Sequence, residues 1–126
     1  MSVAYLDTHV VVWLYSGDLK RLSTPSRKAI ENHDLLVSPA VLLELNFLEE
    51  LGRIKASPTR MQAVLEKQVG LKVCERSFGE VVQAASKQGW IRDPFDRLIV
   101  GQAAVGGDRL ITRDSAILAN YAGAVW

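Results

Sequence analysis

Four acidic residues occupy positions from which their carboxylates could act together. Asp7 follows the short apolar run at residues 3–6, and Asp114 comes shortly after a later apolar run. Glu44 shares the apolar face of a predicted helix, and Asp96 lies in the first turn of another. Carboxylates held close together repel one another unless some stay protonated or a cation is bound. Because Mg²⁺ and Mn²⁺ prefer oxygen ligands, such a set suits hydrolysis of a phosphodiester bond by an activated water.

The elements that must position these residues are short apolar strands alternating with longer helices. Strands are predicted at 3–6, 35–37, 71–74 and 109–112, with a possible edge strand at 123–126. Helices, counted with their capping residues, are predicted at 10–17, 23–32, 38–52, 57–69, 77–87, 93–105 and 115–121. This alternation predicts a three-layer α/β/α sandwich with a mainly parallel central sheet of four to five strands. Ligands bind outside the carboxyl ends of such strands, so we expect the four acidic residues on one rim.

Pairs of a capping residue and a proline mark several of the predicted helix starts. They are Ser38-Pro39, Ser57-Pro58 and Asp93-Pro94. Proline suits the first helical position because its missing N–H falls among donors that the first turn leaves unpaired anyway. Asp93 is therefore most simply a helix cap, with an additional metal or water role left open.

Length and composition bound the class of protein. The chain of 126 residues fits a single domain, residues 1–126. A net charge of +1 excludes a global basic field, so a polyanion would have to be held by a local patch. Two histidines and one cysteine argue against a Cys/His zinc site. No apolar run reaches transmembrane length, so we expect a cytoplasmic protein with no membrane partner.

Each acidic residue also has a simpler structural interpretation. Asp7, Asp96 and Asp114 could serve only as helix caps or as partners of a helix dipole. Glu44 could instead be buried in an ion pair, for instance with Arg97. Such interpretations require four independent coincidences on one rim, so a shared site explains the pattern better.

Polar residues beside the acidic set are further candidates for substrate contact. Thr8 and Thr112 could bind a water or a phosphate, or could simply cap the backbone. Arg97 and Arg113 follow acidic residues directly, and a guanidinium matches the geometry of phosphate. Their alternative role is a salt bridge that orients a carboxylate.

Aromatic residues near the acidic motifs carry a weaker signal. Trp13, Phe47 and Phe95 are most simply interpreted as core or interface residues, and base stacking is the less favoured alternative. His9 could approach a substrate, but an incidental surface histidine is the simpler interpretation. We therefore assign none of them a role from the sequence.

Taken in order, the acidic motifs resemble those of PIN-domain ribonucleases, and most of all the VapC toxins of bacterial type II toxin–antitoxin systems. The resemblance covers nearly the whole chain. The motifs that carry it are Tyr5-Leu6-Asp7-Thr8-His9, Ser38-Pro39-Ala40-Val41 with Glu44, Asp93-Pro94-Phe95-Asp96-Arg97-Leu98-Ile99 and Leu110-Ile111-Thr112-Arg113-Asp114.

This resemblance implies a parallel-sheet α/β/α fold and an Mg²⁺- or Mn²⁺-dependent endoribonuclease that cleaves RNA. It implies Asp7, Glu44 and Asp96 as the central acidic triad, with Asp114 completing the metal-binding and catalytic set. It also implies a homodimer, a VapB-type antitoxin that neutralises the toxin, and operator DNA bound by the toxin–antitoxin complex.

Two other functions stay open on the sequence alone. One is a non-catalytic module of the same fold that binds RNA or protein, and the other is a housekeeping nuclease in RNA processing. The chain also departs from its subgroup at two places. Trp90-Ile91-Arg92 stands where a histidine is frequent, and Leu43 stands where a tryptophan often precedes the helix glutamate. These departures concern substrate preference and antitoxin fit, because neither touches the acidic set.

Overall fold

A five-stranded parallel sheet forms the centre of the computed structural model, which describes the whole chain from Met1 to Trp126. Its order along the sheet is β3-β2-β1-β4-β5. The strands are β1 (Val3–Leu6), β2 (Asp34–Val37), β3 (Lys72–Val73), β4 (Arg109–Ile111) and β5 (Ala124–Val125). The predicted α/β/α class with four to five mainly parallel strands is confirmed.

Seven α-helices flank the sheet, with one short 3₁₀ turn at Leu19–Arg21. They are α1 (Thr8–Ser16), α2 (Thr24–Glu31), α3 (Pro39–Glu50), α4 (Pro58–Val69), α5 (Phe78–Ser86), α6 (Pro94–Gly106) and α7 (Ser115–Asn120). The first helix begins at Thr8 rather than at residue 10, because Asp7 itself caps it and accepts the Thr8 N–H. No helix has the length and hydropathy that crossing a membrane requires.

β1 lies at the middle of the sheet and therefore sets the position of Asp7. Tyr5 pairs with Leu36 of β2 on one side and with Leu110 of β4 on the other. The strand is almost completely buried, with Tyr5 1% and Leu6 0% exposed. Its carboxyl end thus emerges beside that of β4, where Thr112 and Asp114 follow.

The helix that carries Asp96 is the most deeply packed of the seven. The five consecutive residues 99–103 of α6 are all buried, and consecutive helical residues point in different directions. This stretch of α6 therefore packs on more than one side. Gly101 permits the close approach of α5, since a Cβ there would lie 2.7 Å from the Ala85 backbone nitrogen.

The predicted capping residues set the starts of the other helices. The side chains of Ser38, Ser57 and Asp93 each accept a backbone N–H in the first turn that follows, and proline occupies the first helical position after each. Asp114 caps α7 in the same way, because its Oδ1 accepts the Ile117 N–H at 3.0 Å. These caps are satisfied locally, so sequence alone was sufficient to predict them.

Candidate active site

Four acidic side chains from distant parts of the chain line one cleft of about 360 Å³ at the carboxyl edge of the sheet. Asp7 follows β1, Glu44 lies within α3, Asp96 is in the first turn of α6, and Asp114 precedes α7. The structure thus brings together the four residues that the sequence analysis expected on one rim. The other residues lining the cleft are His9, Val10, Trp13 and Arg113.

Asp7 is the most buried of the four and is held at both carboxylate oxygens. The residue is only 8% exposed to solvent. Oδ1 accepts the Thr8 N–H at 2.8 Å, and Oδ2 accepts the Thr112 hydroxyl at 2.6 Å. The Thr112 hydroxyl oxygen in turn accepts the Asp114 N–H at 3.1 Å. This chain of contacts fixes Asp7 relative to the turn that carries Asp114.

Burial raises the pKa of the Asp7 carboxyl above its ordinary value. The hydrogen bonds from Thr112 and from the Thr8 backbone favour the ionised form, as does nearby His9, but they only partly offset the burial. The charge of Asp114 adds to the rise. The surroundings of Asp7 therefore do not carry enough positive charge to return its pKa to the ordinary value.

Glu44 lies on α3 with its side chain half-buried and turned to the same cleft. Its Oε1 accepts a hydrogen bond from the hydroxyl group of Thr8, a buried residue at the start of α1. Burial raises the pKa of Glu44, and the charges of Asp7 and Asp93 raise it further against the effect of the Thr8 hydrogen bond. One pair of residues, Thr8 and Glu44, thus ties α1 to α3 at the mouth of the site.

The ion pair between Glu44 and Arg97 that the sequence left open is not formed. The Arg97 guanidinium instead donates to the Ile91 carbonyl oxygen, from Nε at 3.0 Å and from Nη2 at 2.7 Å. The two ion pairs in the structure, Met1 with Asp34 and Arg21 with Asp18, involve none of the four acidic residues of the cleft. Glu44 therefore has no neutralising partner within the chain.

Asp96 shows the clearest effect of crowded negative charge. Burial, followed by the charges of Asp7, Asp93, Glu44 and Asp114, raises its pKa to about 7. Its backbone N–H donates to Asp93 Oδ1 at 3.0 Å, so the cap of α6 also fixes the first turn. Near neutral pH the site is poised between holding a proton on Asp96 and accepting a cation.

The remaining sequence candidates have different positions around the cleft. Arg113 lines it, whereas Arg97 does not and is used in the contact to Ile91. Thr8 and Thr112 are buried and bind carboxylates of the site, so they orient acidic side chains. Asp93 caps α6 and lines an adjacent depression together with Asp96 and Asp114.

Trp13 in the cleft and Trp126 beside it were not assigned a role from the sequence. Trp13, interpreted there as core or interface, forms part of the cleft wall beside His9. Trp126, the last residue, packs edge-on against Trp13 with ring centroids 5.8 Å apart. The spacing of His9 and Trp13, one helical turn apart, was the available signal, because such residues share a helix face.

The donor set of the cleft fits a hydrated divalent cation. It consists of carboxylates that no ion pair neutralises. Burial and the nearby negative charges raise the pKa values of Asp7, Glu44 and Asp96. No three His, Cys, Asp or Glu side chains form a closed cluster that could hold an ion. Magnesium suits an open arrangement of this kind, since it keeps several waters beside one or two carboxylates.

Known proteins share both the sequence pattern and the fold. The family pattern described as PIN domain matches residues 4–124. Ribonuclease VapC22 of Mycobacterium tuberculosis is 36% identical over 120 residues, which cover 90% of this chain and 88% of that protein.

Two solved structures are similar in fold over 98% of this chain and 96% of theirs. DNA-bound VapBC from Salmonella typhimurium has a TM-score of 0.60 at 21% identity. VapBC2 from Rickettsia felis, bound to a DNA fragment from its promoter, has a TM-score of 0.57 at 18% identity. Since the family pattern spans nearly the whole chain and VapC22 is similar along most of it, the protein belongs to the PIN-domain family.

Proposed function

We propose that this protein is a metal-dependent endoribonuclease toxin that hydrolyses RNA phosphodiester bonds. The observation that carries the proposal is the convergence of four carboxylates on one cleft without an ion-pair partner. Keeping such charges together costs free energy, which a bound cation would offset. The similarity to VapC22, which is named a ribonuclease, supports the same activity.

The residues that would hold Mg²⁺ or Mn²⁺ are Asp7, Glu44 and Asp96, with Asp114 completing the set. When bound, such a cation lowers the pKa of a coordinated water and stabilises charge developing on the phosphate. An all-oxygen donor set that leaves room for water and a phosphate oxygen supports this assignment.

The chain itself contributes orientation to this chemistry. Thr112 and the Thr8 backbone hold the two oxygens of Asp7, and the Thr8 hydroxyl holds Glu44. The acidic groups are therefore placed before substrate arrives, which reduces the ordering cost of the reaction. Arg113 lines the same cleft and presents a guanidinium, whose geometry matches a phosphate of the substrate.

A VapB-type antitoxin is the proposed inhibitor, and operator DNA the proposed ligand of the complex. Solved structures with the same fold are VapBC assemblies, two of them bound to DNA. Co-expression with the product of a small adjacent gene tests the proposal. We expect the two chains to co-purify, the RNA cleavage to be suppressed, and the complex to shift DNA from its own promoter.

A homodimer is also proposed, and exposed apolar side chains on α3 and α5 support it. Leu43 is 53%, Phe47 47% and Phe78 71% exposed. Leu43 and Phe78 line an apolar cavity of about 330 Å³ between α3, α5 and α6. Contact with a second copy would remove these side chains from water. Sedimentation analysis of the purified chain tests this, and a monomer across the micromolar range would contradict it.

The first test of the activity is cleavage of a total RNA pool by the purified protein, with and without Mn²⁺. Asp7→Asn and Asp96→Asn are the matched variants, since each removes one charge while keeping size. We expect fragments that require Mn²⁺ and a loss of at least about 100-fold in each variant, provided circular dichroism shows it folded. Full activity in either folded variant would contradict the assignment, and no cleavage by folded, metal-bound wild type would favour a non-catalytic module.

A further inference from the structure

One wall of the acidic cleft is aromatic, and the catalytic assignment leaves it unexplained. His9 and Trp13 lie one turn apart on α1, with ring centroids 6.0 Å apart and an angle of 40° between the rings. Both residues line the same cleft as the four acidic side chains. We call this pair the His9–Trp13 shelf. It lies within the reach of a nucleotide whose phosphate is held at the carboxylates.

Two further side chains pack against the Trp13 ring. Trp126 packs edge-on against Trp13 with centroids 5.8 Å apart and an interplanar angle of 60°. The Arg21 guanidinium lies 5.7 Å from the centroid of the Trp13 ring and is itself held by Asp18 at 2.9 Å. These contacts restrict the indole, because edge-to-face and cation–π packing both favour a defined ring orientation.

His9 differs from the two neighbouring indoles in its exposure. Its residue is exposed to solvent, whereas Trp13 and Trp126 are partly buried. Burial in the core therefore does not explain an imidazole ring in this place. An exposed flat ring on a rigid backing is the arrangement with which proteins stack unpaired bases.

We propose that the His9–Trp13 shelf receives a nucleobase next to the scissile phosphate, with the ring of His9 stacked on that base. The inference rests on the proposed RNA cleavage and names a residue that would contact the substrate beside the carboxylates. A base within a duplex is stacked on its neighbours and cannot lie on the shelf without being unstacked first. The ring face of His9 makes the contact, and the nitrogen atoms of the imidazole are not required for it.

The test compares the RNA affinity of wild type, His9→Ala and His9→Phe. The probe is a single-stranded RNA of about ten nucleotides with 2-aminopurine at one position, measured in Ca²⁺ with a gel check that the RNA stays intact. His33→Ala is the matched control, because His33 is the other histidine but directly precedes β2, at the amino edge of the sheet, and does not line the cleft. A duplex of the same sequence is measured in parallel.

Stacking predicts that His9→Ala weakens single-strand binding by about 5- to 100-fold and restores the fluorescence of the stacked 2-aminopurine. His9→Phe should stay within about threefold of wild type, since it keeps a flat ring. His33→Ala should bind like wild type, and duplex binding should be weak and insensitive to His9. Equal affinity of wild type and His9→Ala, or equal losses in His9→Ala and His9→Phe, would overturn the proposal.

The outcome is distinguishable from a failure of the proposed activity. If wild type cleaves RNA but the His9 variants bind it normally, the shelf proposal alone is wrong. If wild type binds single strands through His9 but never cleaves them, the shelf proposal holds and the nuclease assignment is wrong.

Discussion

Thr112 connects two of the four acidic residues through a single hydroxyl group. The group donates to Asp7 Oδ2 at 2.6 Å and accepts the Asp114 N–H at 3.1 Å. Thr112 is completely buried, so water cannot replace either partner. At the scale of single residues, the geometry of the cleft therefore depends on a threonine that carries no charge.

Replacing this hydroxyl is expected to destabilise the fold. Thr112→Val keeps the shape of the side chain but leaves a buried carboxylate oxygen and an amide without partners, at a cost of about 1–3 kcal/mol in the free energy of unfolding. Thr112→Ser retains the hydroxyl and should recover most of that loss. Urea denaturation of both variants measures the difference, and equal stabilities for Val and Ser would show that the hydroxyl bonds contribute little.

The raised pKa of Asp96 predicts how the free energy of unfolding depends on pH. Its pKa in the folded protein is about 7, above the ordinary value of 3.8, so between these values the native state binds more protons than the unfolded chain. The contribution of Asp96 to the free energy of unfolding is therefore fully present at low pH and is lost as pH rises through about 7. Without a bound cation, the ionised Asp96 should lower the free energy of unfolding of wild type at alkaline pH.

The Asp96→Asn variant isolates this effect. It cannot ionise, so its stability advantage over wild type should be near zero at about pH 4 and should grow to about 1–2 kcal/mol at about pH 8, after allowance for the screening of a half-exposed group. Mg²⁺ at the higher pH should stabilise wild type more than the variant. Denaturation of both proteins in EDTA over this pH range measures the difference in their free energies of unfolding. A difference that stays constant with pH would refute the interpretation.

At the scale of elements, the site depends on how closely α5 and α6 approach. The contact occurs at Gly101 of α6, where an added Cβ would lie 2.7 Å from the Ala85 nitrogen and 2.8 Å from its Cα. Both are backbone atoms, which cannot rotate away as a flexible side chain would. α6 carries Asp96, so a shift of this helix would also move a carboxylate of the cleft.

Two glycine substitutions should therefore differ in their effect on stability. Gly101→Ala should destabilise the protein by about 1–3 kcal/mol through overpacking, despite the higher helix propensity of alanine. Gly79→Ala in α5 is the matched control, because no atom lies within 4 Å of its added Cβ. It should be neutral or stabilise by up to about 1 kcal/mol. Thermal unfolding measures the change in stability of both variants. A Gly101→Ala variant more stable than wild type would show that the two helices separate easily.

At the scale of the whole molecule, the net charge is too small to attract RNA from a distance. With 15 basic and 14 acidic residues the formal charge is +1, and several of the acids face the cleft itself. RNA binding must then depend on a few local contacts, among them Arg113, together with any bound cation. This distinguishes the protein from nucleic-acid binders that use a broad basic surface.

The salt dependence of RNA binding should accordingly be shallow but measurable. With only a few phosphates neutralised, the logarithm of the association constant should fall with the logarithm of salt concentration at a slope between about −1 and −3. A titration of sodium chloride at fixed divalent concentration measures it with the single-stranded probe. An association constant that does not change with salt would show that phosphate contacts contribute little to binding. A much steeper slope would indicate a basic surface that the cleft does not contain.

Local interactions made most of the fold predictable from the sequence. Serine or aspartate before proline marks helix starts through bonds within one turn, as at Ser57 and Asp93, so no knowledge of the tertiary structure was needed. The short apolar runs gave the strands, and their alternation with helices gave the parallel sheet with one functional edge. The boundaries differed where a residue has two roles, as at Asp7, which both ends a strand and caps a helix.

The sequence by itself determined which elements form, their class of fold and which acidic residues reach one edge, because periodicity and capping act over a few residues. Only the tertiary structure decided the partners within the cleft. Thr112 meets Asp7 across 105 positions of the chain, and Thr8 meets Glu44 across 36. Arg97 turns to a carbonyl oxygen instead of a carboxylate, and Trp126 returns to brace Trp13. The pairings of Thr112 with Asp7 and of Thr8 with Glu44 require β1 to lie between β2 and β4 in the sheet, and no local pattern specifies that order.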